Sequence, residues 1–340
     1  MDGALGPAGG AAAPRSRGRT GRVSMAMVAA RAGVSGQTVS RVVNDSPRVD
    51  PATRERVERA MAELGYRPHR AARALRTGRS QTIGLVVTTL ATVGNSRMLQ
   101  ATAEAAAERG YALTLVTASS GVGEAFARLV EQEVDGAIVL NEASAQVGDA
   151  ARPAGLRLVV VDAAEGAGFI AVHSDHAGGA AAATAHLLAL GHATVHHLAG
   201  PADSFAAAER ERGWRETLAA HGVAAPAVVR GDWSADAGYA AGAAFGAASA
   251  VFCANDQMAL GLLRALAEAG REVPDDVAIV GFDDVPDAAN FRPPLTTIRQ
   301  DFGALARRAV GALVAEIEGR DPETGPVVVP TALVRRASTR

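Results

Sequence analysis

Two hydrophobic rhythms divide this chain. Between residues 23 and 66 apolar positions recur at helical spacing, and from residue 81 onward they gather into short continuous runs. In the first region Met25, Val28, Ala29 and Ala32 repeat at i, i+3, i+4 and i+7, which predicts a helix with one buried stripe. Gly33 permits a tight turn, Ser35 can cap the next helix, and Val39, Val42 and Val43 give that helix an inward face. Its other face is the polar stripe Gln37, Ser40, Arg41 and Asn44. Asp50-Pro51 predicts a third helix start, Val57, Ala60, Met61 and Leu64 its apolar stripe, and Gly65 its end.

Beyond residue 81 the runs 82–87, 112–117, 136–140 and 157–162 read as strands separated by helices such as 97–109 and 123–132. A second series places strands at 194–200, 250–256 and 277–284, with helices near 176–190, 204–221, 256–269 and 301–319. Continuous apolar strands between helices predict parallel sheets covered on both faces, and two series predict two similar lobes. The segments 295–302 and 327–334 are expected to recross between the lobes.

Charge sharpens the division. The net charge is −2, yet residues 1–80 hold 15 Arg against 6 acidic residues, while the rest holds 19 against 30. A basic head on an acidic body points to nucleic acid for the head alone. A polar stripe on a short second helix suits major-groove reading, since amide and guanidinium groups match base edges bidentately. Alone it would read as a solvated helix face, but the segment 66–79 weighs against that. There Pro68 can open a short helix, Gly78 can close it, and Leu75 lies between Arg73 and Arg76. An apolar wedge flanked by arginines suits minor-groove insertion. The first 22 residues are rich in Gly, Ala and Pro, end basic and lack the apolar middle of a secretory signal, so they read as a disordered arm. The single cysteine, Cys253, sits in an apolar run, which rules out an intrachain disulfide and fits a reducing cytoplasm.

Polar residues follow several strands: Asp162, Asn255-Asp256 and Asp283-Asp284. Open α/β sheets bind ligands at such exits, and carboxylates and amides converging there suit vicinal hydroxyls. Trp233 can stack on the apolar face of a sugar ring, while Asp256 and Asp284 are expected to act as helix caps. No catalytic residue and no metal site is expected. Adjacent Asp283 and Asp284 diverge on an extended segment, no G-x-S-x-G elbow or phosphate-binding glycine loop is present, and His192, His196 and His197 enter a strand without acidic or cysteine partners nearby.

In order, AGVSGQTVSRVVN, RVERAMAELGYRP, EVDGAIVL, HLLALGH, LAGP, GDWSA, ANDQMALG, VPDDVAIVGFDD and PPLTTIRQDF resemble the lac repressor (LacI–GalR) family of bacterial transcriptional regulators across residues 23 to 340. The resemblance implies a disordered basic arm (1–22), an all-α helix-turn-helix DNA-binding headpiece (23–66) and a hinge helix with linker (67–80). The remainder (81–340) would be an α/β two-lobed effector-binding and dimerisation domain, like a periplasmic binding protein, with doubly wound parallel sheets. It assigns DNA contact to Ser24, Ser35, Gln37, Thr38, Ser40, Arg41, Asn44, Thr53, Tyr66, Leu75 and Arg76, with Gln37, Arg41 and Ser40 as base readers and Leu75 as the lever. Effector binding falls to Asp162, Arg210, Trp233, Asn255, Asp283, Gln300 and Phe302, and Arg212 is a surface neighbour. The implied protein is a cytoplasmic homodimeric repressor on pseudo-palindromic double-stranded operator DNA. It needs no cofactor, touches no membrane, and is relieved by a sugar-type effector, with a β-galactoside or related β-linked disaccharide expected first. The alternative is a corepressed regulator binding a purine-type effector. A solute-binding protein of periplasmic type would share the body but not the head. Gly36 replaces the tyrosine base reader of the family's founding member, so the operator sequence does not carry over. The chain stops at RRASTR without the leucine heptads that would make a tetramer.

Overall fold

The computed structural model describes residues 23–44, 46–66, 78–141, 143, 147, 153–164, 168–320 and 327–340. The arm at 1–22, the expected hinge helix, Leu75 and Arg76 lie outside the described residues. The chain divides into two compact units, Met1–Thr77 and Gly78–Arg340.

In the first unit Gly33, Ser35, Asp50 and Gly65 set the element ends as expected, and Ser24 adds a cap not expected from the pattern. Helix α1 (Met25–Ala32) starts at Ser24, whose hydroxyl accepts from Met27 N, and stops at Gly33, whose φ is +65°. Helix α2 (Gly36–Val43) starts at Ser35, which accepts from Thr38 N, and α3 (Pro51–Leu64) runs from the Asp50 cap to Gly65 at φ +65°. Val28, Val39 and Val57 are wholly buried, one from each helix, with Ala29, Val42, Ala60 and Tyr66 around them. Each such valine contributes roughly 1.5–3 kcal/mol, a large share for so small a core.

The second unit holds two six-stranded sheets. In the first lobe β1 (Thr82–Val87), α4 (Val93–Glu108), β2 (Ala112–Thr117), α5 (Val122–Glu131), β3 (Gly136–Leu140), β4 (Arg157–Val161) and β5 (Ile170–Ser174) follow in sequence. In the second, α6 (His176–Ala189), β6 (His196–Ala199), α7 (Phe205–Ala220), β7 (Val229–Arg230), α8 (Ala235–Ala240), β8 (Ala250–Cys253), α9 (Asp256–Glu268), β9 (Ala278–Asp283) and β10 (Thr296–Gln300) do so. The chain then returns as α10 (Phe302–Glu318) and β11 (Val327–Val329) to the first lobe, and ends with β12 (Thr331–Val334) in the second. The sheet orders are β11-β5-β4-β3-β1-β2 and β12-β10-β9-β8-β6-β7. Among the described residues all pairings are parallel except β12 on β10. Cys253 is buried in β8.

Each passage between lobes is a single residue: Asp175 between β5 and α6, Asp301 between β10 and α10, Pro330 between β11 and β12. Two of the three cap the helix they lead into, Asp175 accepting from Gly178 N and Asp301 from Ala304 N, both at 2.8 Å. Asp175 N also donates to Val329 O at 2.8 Å, which ties the first passage to the third.

Three elements escape the sequence pattern. β5 carries His173 and Ser174 and so lacks a clean apolar run, β7 has two residues, and α8 has six including a glycine. Helix α4 begins four residues before the expected 97, because Thr92 caps it although Gly94 and Asn95 are weak helix formers.

Candidate functional site

Between the lobes lies a pocket of about 490 Å³, part of it open to solvent. Its walls include all seven expected effector residues: Asp162, Arg210, Trp233, Asn255, Asp283, Gln300 and Phe302. Strand ends bring them there. Asp162 follows β4, Asn255 follows β8 by two residues, Asp283 and Gln300 close β9 and β10, and Phe302 opens α10. Arg210 rises from the middle of α7, and Trp233 stands between β7 and α8.

Backbone strain is concentrated at this pocket. Seven described non-glycine residues have positive φ, and four of them, Asn141 (+47°), Asp162 (+55°), Trp233 (+75°) and Asp283 (+114°), line it. Such strain gathers where surrounding structure must hold a side chain in place.

Arg210 is the hub. Its guanidinium carbon lies 3.8 Å from the Phe282 ring centroid and 5.4 Å from that of Trp233. Nη1 donates to Ala254 O, Nε and Nη2 each approach His176 Nδ1 at 3.3 Å, and Nη2 is 3.7 Å from Asp283 Oδ1. His176 in turn reaches Asp162 Oδ1 through Nε2 at 2.8 Å, and Gln300 Nε2 donates to Asp283 Oδ1 at 2.7 Å. The two carboxyls respond differently. Burial pushes Asp162 up, but His176 and the Arg210 charge more than offset it and hold the carboxyl below its usual range. Burial also raises Asp283, and there Arg210 and Gln300 offset it only in part. The lining groups are thus carboxylates that accept, amides that do both, and two aromatic faces. That set matches a ring bearing several hydroxyls.

The other side of the pocket comes from Thr92, Gly94 and Met98 on the first turns of α4 and from Asn141 beyond β3. None of these was singled out from sequence. Asn141 carries the same signal as the others, a polar residue just past an apolar strand. Arg97 joins the lobes: Nη1 donates to Asp284 O at 3.2 Å, and its guanidinium lies 4.6 Å from the Phe302 centroid.

The expected caps need correction. Asn255 caps α9, accepting from Met258 N at 2.9 Å, whereas Asp256 is the first helical residue and wholly buried. Asp256 accepts from Thr297 Oγ1 at 2.6 Å and Val285 N at 2.8 Å, which fastens the exit of β9. Burial, with Asp283 nearby, raises its carboxyl well above the usual range. Asp284 caps nothing; it turns away from Asp283 and binds Arg299 at 2.7 Å and Arg336 at 2.6 Å. Arg212 is a surface residue paired with Glu209 and Glu216. His197 is buried, His196 packs edge-on to Phe245 and His192 bonds Ser249, and no group of three or more possible metal ligands occurs among the described residues.

In the first unit, Gln37 and Arg41 are exposed on α2, while Ser40 and Asn44 are half-buried and joined at 3.2 Å. Thr38 bonds Ser35 at 2.9 Å, Thr53 accepts from Arg56 at 3.0 Å, and Ser24 is exposed at its cap. Tyr66 packs into the core, so only a small part of it reaches the surface.

Residues 24–69 match the family described as bacterial regulatory proteins, lacI family, and residues 184–339 match a periplasmic binding protein-like domain. The chain is 37% identical over 345 residues to the HTH-type transcriptional regulator CelR of Thermobifida fusca, covering 94% of this chain and 99% of that one. It is 36% identical over 328 residues to the lactose operon repressor of Escherichia coli (strain K12), covering 93% and 91%. A PurR repressor of Vibrio atlanticus is 31% identical, covering 92% and 97%. Among solved structures, the lac repressor dimer bound to operator and the anti-inducer ONPF superposes with a TM-score of 0.80 at 35% identity, covering 93% of this chain and 99% of that one. A CelR–cellobiose complex gives 0.69 at 36% identity, covering 93% and 100%.

Proposed function

The chain belongs to the lacI family of bacterial regulatory proteins, and on that footing we propose that it represses transcription under the control of a β-linked disaccharide. Two copies place their α2 helices in successive major grooves of a pseudo-palindromic operator, where Gln37 and Arg41 meet base edges. Ser24, Ser35, Thr38, Thr53 and Tyr66 serve the phosphate backbone, and Leu75 wedges a base step. The protein acts in the cytoplasm and catalyses nothing; among the described residues no helix is long and apolar enough to cross a membrane.

One observation carries the ligand reading. Asp162, Arg210, Asn255, Asp283 and Gln300 converge with Trp233 on one cleft between lobes that three single-residue passages connect covalently. A sugar held there contacts both lobes at once, so it favours one lobe arrangement over another. Differential contact of that kind is what shifts a two-state equilibrium. The cellobiose held by the CelR relative supports a β-linked disaccharide over a purine.

Thermal melting against cellobiose, lactose, their monosaccharides and a panel of purines tests this, since a ligand that binds the fold raises its melting temperature. Cellobiose or lactose should stabilise the protein and weaken its hold on operator DNA in an anisotropy titration. Stabilisation by purines alone, or operator affinity indifferent to every sugar, overturns the proposal.

A further inference from the structure

His176 is absent from the expected effector residues, yet it occupies the junction of the site. It is the first residue of α6, one position beyond the Asp175 passage, and is 1% exposed. The Asp175 cap fixes its backbone, and the rings of Phe205 and Phe282 flank it with centroids at 6.4 and 6.0 Å. Its Nδ1 faces both Nε and Nη2 of Arg210. A guanidinium can only donate, so Nδ1 accepts, and the ring proton resides on Nε2, where it is given to Asp162. The ring therefore has one usable tautomer.

We propose that His176 is a positioning residue for effector recognition, presenting Arg210 to the ligand and coupling it to Asp162 across the passage between lobes. This rests on the sugar-binding reading above. Asp162 belongs to the first lobe and Arg210 to the second, and the imidazole standing between them links the two ligand-facing charges into one unit. With the acceptor gone, Arg210 keeps Ala254 O, Asp283 and the Phe282 face but loses the partner that fixes its Nε–Nη2 edge. Ligand hydroxyls would then meet a misdirected fork.

Two substitutions separate the two ends of the ring. His176→Asn places an amide oxygen near the Nδ1 position, whereas His176→Gln places an amide near Nε2 and His176→Leu keeps neither. In the full-length protein without ligand, 15N NMR of labelled histidines, assigned by comparison with His176→Asn, should show His176 protonated on Nε2. Protonation on Nδ1 overturns the proposal whatever the ligand proves to be. With cellobiose as probe, His176→Asn should bind within about threefold of wild type, and His176→Gln and His176→Leu about 10- to 100-fold more weakly, the range for a lost hydrogen bond to a charged group. Ligand-free melting should fall least in His176→Asn, which keeps an acceptor for Arg210, and most in His176→Leu. Equal cellobiose affinity in His176→Leu and wild type refutes it, as does a parallel loss of melting temperature and operator binding in all three, which is the mark of a merely structural residue. A wild type that shows the Nε2 proton but binds no sugar counts against the disaccharide reading, while the positioning of Arg210 stands.

Discussion

The side-chain amide of Asn255 donates to the main-chain carbonyl of Trp233 at 2.9 Å, while its carbonyl oxygen caps α9. One residue thus starts a helix and holds in place an aromatic wall whose backbone is strained at φ +75°. The two roles separate by substitution. Asn255→Ser keeps a capping oxygen but cannot reach Trp233, so urea stability should change little while ligand affinity falls. Asn255→Ala loses both, and unfolding titrations should show a further loss of about 1 kcal/mol.

The two tryptophans report different places. Trp214 is wholly buried and donates to Val195 O at 2.8 Å, whereas Trp233 lines the pocket with its indole N–H buried and unbonded among the described residues. A change in tryptophan emission on sugar addition should therefore persist in Trp214→Phe and vanish in Trp233→Phe. Emission spectra of the two variants, titrated alongside wild type, check this.

His197 makes stability depend on pH. Its ring stacks on Phe252 at 4.8 Å and donates through Nδ1 to Phe252 O, and burial lowers its pKa to about 4. The unfolded chain takes up a proton near the ordinary value of 6.5 that the fold refuses. The contribution is present above that value, shrinks as pH falls, and levels off near 4. The linkage amounts to at most about 3 kcal/mol. Urea midpoints of wild type should fall more steeply between these limits than those of His197→Phe; parallel curves would contradict it.

On α2, Arg41 is exposed and takes no part in the core. Arg41→Ala should leave helicity unchanged and weaken operator binding by about 1–3 kcal/mol, the worth of one base contact. Leu75→Ala should likewise weaken operator binding and spare sugar binding. Anisotropy with specific and scrambled duplexes measures both, and equal loss on the two duplexes would make Arg41 a phosphate contact.

What the sequence announces and what it conceals differ by range. Ser35 and Asp50 act on groups three residues away, so their caps can be read directly from the chain. The strands buried on both faces announce themselves as apolar runs, and the polar residues after them land in the cleft. Asp175-His176 stands out in the sequence only as a departure from the family's frequent Asp-Asn pair; the role of His176 was concealed because its partners stand 14 and 34 residues away, a relation that no local pattern encodes. Asp256 was misread for a related reason. A carboxylate beside a helix start looks like a cap, and only the tertiary placement of Thr297 and Val285 reveals its other task. Thr92 and Met98 were missed because Gly94 and Asn95 obscure the helix start that aims them at the pocket.

The return of α10 to the first lobe has a bearing on how the protein is made. Leu305, Ala309, Val310 and Leu313 of that helix share one buried core with Ile83, Ile138 and Val159. A chain leaving the ribosome therefore carries five finished strands whose face is covered by α4 alone, and so only in part, until some 130 further residues have been synthesised. Translation must deliver residues 302–318 before the earlier half can close, so a nascent polypeptide halted anywhere short of them offers sticky β-surface to chaperones.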